Sequence, residues 1–177
     1  MTAEIPYHHP AAIDSEQLLK NCTTSRQRTR GPGGQHRNKV ETGVFLLHKP
    51  TGIKTQSTEF RSQIQNKKQA LFRLRIRLAL RHRTIPPIPG YQPSTLLKER
   101  LRQQKKKLAV NPKHQDYPAV LAEILDLVIA LQGDIKKAGE YLGFISSSQI
   151  VKFLKTEPEA LTIVNSIREK HGKHKLR

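Results

Sequence analysis

Four prolines and a glycine fall within the twelve residues Thr84 to Thr95 (TIPPIPGYQPST), a stretch that neither a helix nor a sheet can run through. The chain must therefore be organised on either side of it. The stretch reads as a semi-rigid linker and as the clearest boundary in the sequence. We divide the chain into residues 1–83, a linker with a basic helix over 84–115, and a third part over 116–177. With 177 residues in all, 36% of them hydrophobic, and only five Phe and four Tyr, each part can bury only a small core.

Charge is distributed as unevenly as proline. Residues 1–115 hold 23 Lys+Arg against 6 Asp+Glu, a net of +17, whereas residues 116–177 hold 9 against 8, a net of +1. An excess of this size repels itself in a compact state unless a polyanion compensates it, and nucleic acid is the first expectation. One cysteine, Cys22, excludes an internal disulfide framework, and the eight histidines show no designed metal spacing, so neither a metal nor a cofactor is expected. No apolar run approaches membrane-span length, and the first sixteen residues lack the pattern of a targeting peptide. A cytoplasmic, monomeric protein with no membrane partner is expected.

Before the prolines, Asp14-Ser15-Glu16 reads as a capped helix start, and Cys22–Arg28 as a strand. Gly31-Pro32-Gly33-Gly34 must be a loop, and Glu41–His48 and Ile53–Ser57 form a hairpin about the turn Lys49–Gly52. Ser62–His82 has no Gly or Pro, and Ile64, Leu71, Leu74 and Leu78 make one apolar stripe, the signature of a helix lying on a sheet. Arg73, Arg77 and Arg81 repeat every fourth residue on another face, and residues 61–83 carry eight Lys/Arg and no acid, which predicts an RNA-facing stripe. Beyond the prolines, Leu96–Leu108 predicts a basic helix ending in Lys105-Lys106-Lys107. Four further helices are expected from Ala119 onward, with Asp134, Ser146 and Glu157-Pro158 as starts and Gly143 and Gly172 as stops.

The most specific segment is R-T-R-G-P-G-G-Q-H-R-N-K, residues 28–39. Gly33-Gly34-Gln35 is followed by His36, Asn38 and Lys39, then by a strand, Pro50-Thr51-Gly52-Ile53, and Arg61-Ser62-Gln63 with Asn66 and Ala70 on a helix. This ordered set, over roughly residues 17–83, resembles the catalytic domain of class-I peptide chain release factors and of the short ribosome-rescue factors related to them. The resemblance implies an α+β fold: a small release-factor catalytic domain, mainly antiparallel strands packed by a long helix, then the basic helix and an all-α C-terminal module. It implies ribosome-dependent hydrolysis of the peptidyl-tRNA ester in the large-subunit peptidyl transferase centre, with Gly33, Gly34 and Gln35 as catalytic residues. Two glycines permit close backbone approach to nucleotides, and the Gln35 main-chain N–H would donate a hydrogen bond in the transition state. Gln35 has no titratable side chain, so the nucleophile would be water. Arg28, Arg30, Arg37, Asn38 and Lys39 around the tip, with Arg73, Arg77, Arg81 and Lys105–Lys107, are the expected RNA contacts.

Two features depart from the resemblance. No segment corresponds to a stop-codon-reading domain, so codon-independent termination or rescue is expected. Gly133–Leu154 resembles the helix-turn-helix of Fis-type regulators, but Ile145 adds a residue to the turn and the second helix, SSSQIVKFLK, has no Arg. With a net charge of only +1, a packing or ribosome-docking module is favoured there over a DNA reader. A non-catalytic ribosome- or tRNA-binding protein is the alternative, and a DNA-binding regulator a more distant one.

Overall fold

The computed structural model describes residues 8–27, 42–88, 90–105 and 107–177. The chain makes two compact units, Ile13–Leu78 and Ala79–Arg177, the latter joined by the residues before Ile13. Among the described residues the fold is α+β, with one three-stranded antiparallel sheet and seven α-helices.

In the first unit, α1 (Ser15–Lys20) starts on Asp14, whose carboxylate accepts from the Glu16 amide at 2.8 Å. Strands β1 (Cys22–Gln27), β2 (Gly43–His48) and β3 (Lys54–Ser57) lie in the order β1-β2-β3. The register runs from Cys22↔His48 to Gln27↔Gly43 on one side of β2 and from Val44↔Ser57 to Leu47↔Lys54 on the other. The β2–β3 turn needs Gly52, which sits at φ 69 and donates its amide to the His48 carbonyl at 2.8 Å. Helix α2 (Gln63–Arg81) then supplies Ala70, Leu71, Leu74 and Leu78, buried in one core with Val44 and Leu46 from β2 and Leu18 from α1. Alternation along β2 puts Val44 and Leu46 on one face of the sheet. Ile64 departs from the expected stripe: it is 69% exposed, and the buried position in the first turns of the helix belongs to Asn66.

In the second unit, α3 (Thr95–Gln103) is capped by Ser94, whose hydroxyl accepts from the Leu97 amide at 3.2 Å. It stops short of the predicted Leu108. Lys105 takes a left-handed φ of 50, and Leu108 and Val110 are buried while Lys107 and Ala109 are exposed. The chain there is non-helical, with the Ala109 amide turning back to the Lys107 carbonyl at 3.0 Å, and the lysine run offers a helix nothing apolar to bury. Helix α4 (Tyr117–Ala130) is buried from Tyr117 to Val128. Around it come α5 (Ile135–Tyr141), α6 (Ser147–Leu154) and α7 (Pro158–Lys170). Asp134 caps α5 by accepting from the Lys137 amide at 3.1 Å; Ser146 precedes α6 without a side-chain cap bond. Gly143 and Gly172 close α5 and α7 at φ 79 and φ 66.

Two acids lie within the otherwise apolar α4. Asp126 accepts from the Arg83 guanidinium at 2.8 Å and the Thr84 amide at 2.9 Å. Glu123 accepts from the Tyr91 hydroxyl at 2.9 Å and from the amide and hydroxyl of Ser94, both at 2.6 Å. Burial pushes the Glu123 carboxyl up, against the opposing pull of the Ser94 and Tyr91 hydrogen bonds. These bonds tie both ends of the proline-rich stretch to α4. Among the described helices none is long and apolar enough to cross a membrane.

Candidate functional site

The tip segment leaves the sheet at the end of β1 and returns at the start of β2, where Gln27 and Gly43 are the last ladder partners. Its two ends are therefore held about 5 Å apart, the spacing of facing residues in an antiparallel pair. The return is fixed a second time, by the side chain of Asn66 on α2. Its Nδ2 donates to the carbonyls of Thr42 and Phe60, both at 2.8 Å, and its Oδ1 accepts from the Ser57 hydroxyl and the Phe60 amide, both at 3.0 Å. Asn66 is 0% exposed, so two donors and two acceptors are all used inside the unit. One turn further along α2, the Thr55 hydroxyl donates to the Ala70 carbonyl at 2.9 Å. Loop return, strand end and helix are thus one hydrogen-bonded assembly.

The catalytic tripeptide expected from the sequence, Gly33, Gly34 and Gln35, lies outside the described residues, as do Arg28, Arg30, Arg37, Asn38, Lys39 and Lys106. The described cations divide by use. Arg73 donates to the Gln56 carbonyl at 3.0 Å and pairs with Glu59 at 2.6 Å, and Arg77 donates to the Lys54 carbonyl. These two guanidiniums occupy β3, binding α2 to the strand's main chain. Arg81 is more open, 3.6 Å from the Glu159 carboxylate with a side chain 64% exposed. Lys105 and Lys107 are exposed. Burial pushes the Cys22 thiol up, and its Sγ donates to the Leu18 carbonyl at 3.2 Å.

The sequence pointed to Asn66 but not to its partners. Asn66 stood out only as a member of the ordered set that carries the family resemblance. Which carbonyls it meets depends on tertiary pairing, here with Thr42, 24 residues away. Ser57 and Thr42 carry no such local signal.

Residues 13–117, more than half of the chain, match the RF-1 domain. The chain belongs to the class-I peptide chain release factor family. Among proteins similar to it are peptide chain release factor PrfB1, chloroplastic, of Arabidopsis thaliana, 53% identical over 67 residues that cover 38% of this chain and 15% of that one. Peptide chain release factor 1 of Symbiobacterium thermophilum is 51% identical over 67 residues, 38% of this chain and 19% of its own. The mitochondrial peptide chain release factor 1 of Bos taurus is 41% identical over 70 residues, 40% of this chain and 16% of its own. The chain thus spans less than a fifth of the length of these curated relatives.

Proposed function

We propose that the protein hydrolyses the ester bond of peptidyl-tRNA on the ribosome, carrying Gly33-Gly34-Gln35 into the peptidyl transferase centre of the large subunit. What supports the reading is that the RF-1 match over residues 13–117 brackets this tripeptide, on a segment whose ends are fixed by the Gln27↔Gly43 pair and the Asn66–Thr42 bond. Water attacks the ester carbonyl, the tRNA hydroxyl leaves, and the Gln35 main-chain N–H donates to charge developing on oxygen. One such donor is worth roughly 10²–10³ in rate when it is preorganised. The substrate's remaining surroundings are RNA, so the protein's task is placement, worth several kcal/mol when a reactive geometry is enforced.

Codon independence is the finer part of the proposal and rests on the likeness to short rescue factors. Ribosomes carrying labelled peptidyl-tRNA, stalled either with a codon in the A site or with mRNA ending at the P site, separate the possibilities. Release from the truncated complex without a stop codon is expected. Release only with a stop codon in the A site contradicts the rescue reading, and binding without release favours a non-catalytic ribosome binder.

A further inference from the structure

Between the non-helical segment 107–111 and helix α6 lies a cleft of about 550 Å³, a size that accepts a small organic group. Its floor is apolar, made by Leu108, Val110 and Phe153. The hydrogen-bonding character of its rim is one-sided. Gln149 uses Oε1 to accept from the Leu108 amide at 2.9 Å, and Asn111 uses Oδ1 to accept from the Lys113 amide at 2.9 Å. Both amide oxygens are occupied by main-chain donors, which fixes the orientation of the side chains and leaves the two NH₂ groups as donors. Lys107 and Lys152 also line the cleft, and neither ammonium has a carboxylate partner among the described residues. The remaining hydroxyl, Thr156, is committed to the Phe153 carbonyl at 2.6 Å and the Tyr117 hydroxyl at 2.8 Å. Among the described residues no acid lines the cleft.

Four donor groups, two of them charged, with no competing carboxylate suit a ligand whose polar edge only accepts. A phosphate group meets that description, and the apolar floor suits a sugar or base attached to it. We infer that this cleft binds a phosphodiester of a single RNA strand, with the attached nucleoside against Leu108, Val110 and Phe153. The choice of RNA rests on the ribosomal reading above, and it gives the C-terminal helices a part in docking. It also goes with the end of α3 before Lys105: beyond it the chain is non-helical, and a turn in which the Ala109 amide donates to the Lys107 carbonyl at 3.0 Å presents the Leu108 amide to Gln149. The +1 charge of residues 116–177 is no obstacle, because the cleft takes only one cation from that part, Lys152, and the second, Lys107, comes from the preceding segment.

The test uses the full chain and a fluorescent single-stranded RNA nonamer, followed by anisotropy from low to moderate salt. Lys107→Gln with Lys152→Gln should weaken binding about tenfold and reduce the slope of log K against log salt by about 0.7, the value for one lost phosphate contact on a single strand. Asn111→Asp, which keeps the bond to the Lys113 amide but turns a donor into a repelling acceptor, should weaken binding without unfolding the unit. The charge-matched pair Lys136→Gln with Lys137→Gln, on the exposed side of α5, should have a much smaller effect. Equal losses from the two lysine pairs, or an unchanged slope in the cleft pair, would overturn the inference. Displacement of the RNA by inorganic phosphate or by polyglutamate at comparable concentration would overturn the assignment to RNA. Peptide release by the parental chain is read separately, so a failed hydrolysis assay and a failed cleft assay are distinguishable.

Discussion

The amide nitrogen of Asn66 donates to the main-chain carbonyl of Thr42 at 2.8 Å, joining helix α2 to the point where the chain re-enters the sheet. Replacing Asn66 by Leu strands that carbonyl together with the Ser57 hydroxyl and both main-chain groups of Phe60. Each unsatisfied buried group costs about 1–3 kcal/mol, so a total loss of about 3 kcal/mol or more is expected. Urea denaturation should show a lowered midpoint with an unchanged slope. A midpoint within error of the parent would mean that water or local rearrangement replaces the network.

Asp126 and Asp134 offer a contrast between a buried and a half-buried carboxylate. Asp126→Ala leaves the Arg83 guanidinium and the Thr84 amide without this acceptor and should cost roughly 3–5 kcal/mol. Asp134→Ala removes only a helix cap and should cost about 1 kcal/mol. Thermal melts of the two variants should differ by several degrees, and equal shifts would contradict the structural role given to Asp126.

Gly139 lies inside α5, where Ala would ordinarily stabilise by about 1 kcal/mol. Here a Cβ would stand 2.1 Å from the Ile145 carbonyl oxygen, and the Ile145 amide donates to the Gly139 carbonyl at 3.0 Å. The backbones of the turn and the helix are in direct contact. Gly139→Ala should therefore destabilise by about 1–3 kcal/mol. A stabilised variant, read by the same melts, would show that the turn can shift at no cost.

His9 is buried and neutral: Nδ1 accepts from the Ala11 amide at 3.0 Å, while Nε2 faces the His82 carbonyl at 3.1 Å and donates to it. Burial, reinforced by the nearby Arg83 charge, lowers its pKa from 6.5 to about 4 despite the opposing His82 bond. The unfolded chain then binds more protons between these values, so the stability contributed by His9 is present above pH 6.5 and lost as pH falls toward 4. Full protonation linkage over that window is worth up to about 3 kcal/mol. His9→Gln should flatten the stability profile between pH 6.5 and 4. A parental slope in that variant would assign the dependence to other groups.

How far the sequence reveals this architecture depends on how local each cause is. Helix α2 was legible because Ser62–His82 contains neither Gly nor Pro, and Asp134 because its side chain caps the next turn by itself. Gly172 at the end of α7 was legible for the same reason. The exposure of Ile64 was not, since its helical angle fits the stripe and only the Asn66 network decides which residue is enclosed there. The course of the chain beyond α3 was not legible either, since the Leu108 amide meets the Gln149 side chain 41 residues away. Likewise, Arg73 and Arg77 read as members of an RNA-facing stripe, and their bonds to the Gln56 and Lys54 carbonyls were not legible because β3 lies 17 and 23 residues away. Of the candidate site, the tripeptide and its flanking basic residues come from the sequence, while the described structure contributes the frame that holds both ends of the tip segment.

The most direct measurement is single-turnover release of labelled peptide from ribosomes stalled on truncated mRNA, comparing the parental chain with Gln35→Ala. Ribosome binding by the two proteins, measured by cosedimentation, should be equal, and release should fall by roughly 10²-fold or more in the variant. Release at the parental rate by Gln35→Ala would contradict the assignment of Gly33-Gly34-Gln35 as the catalytic tip.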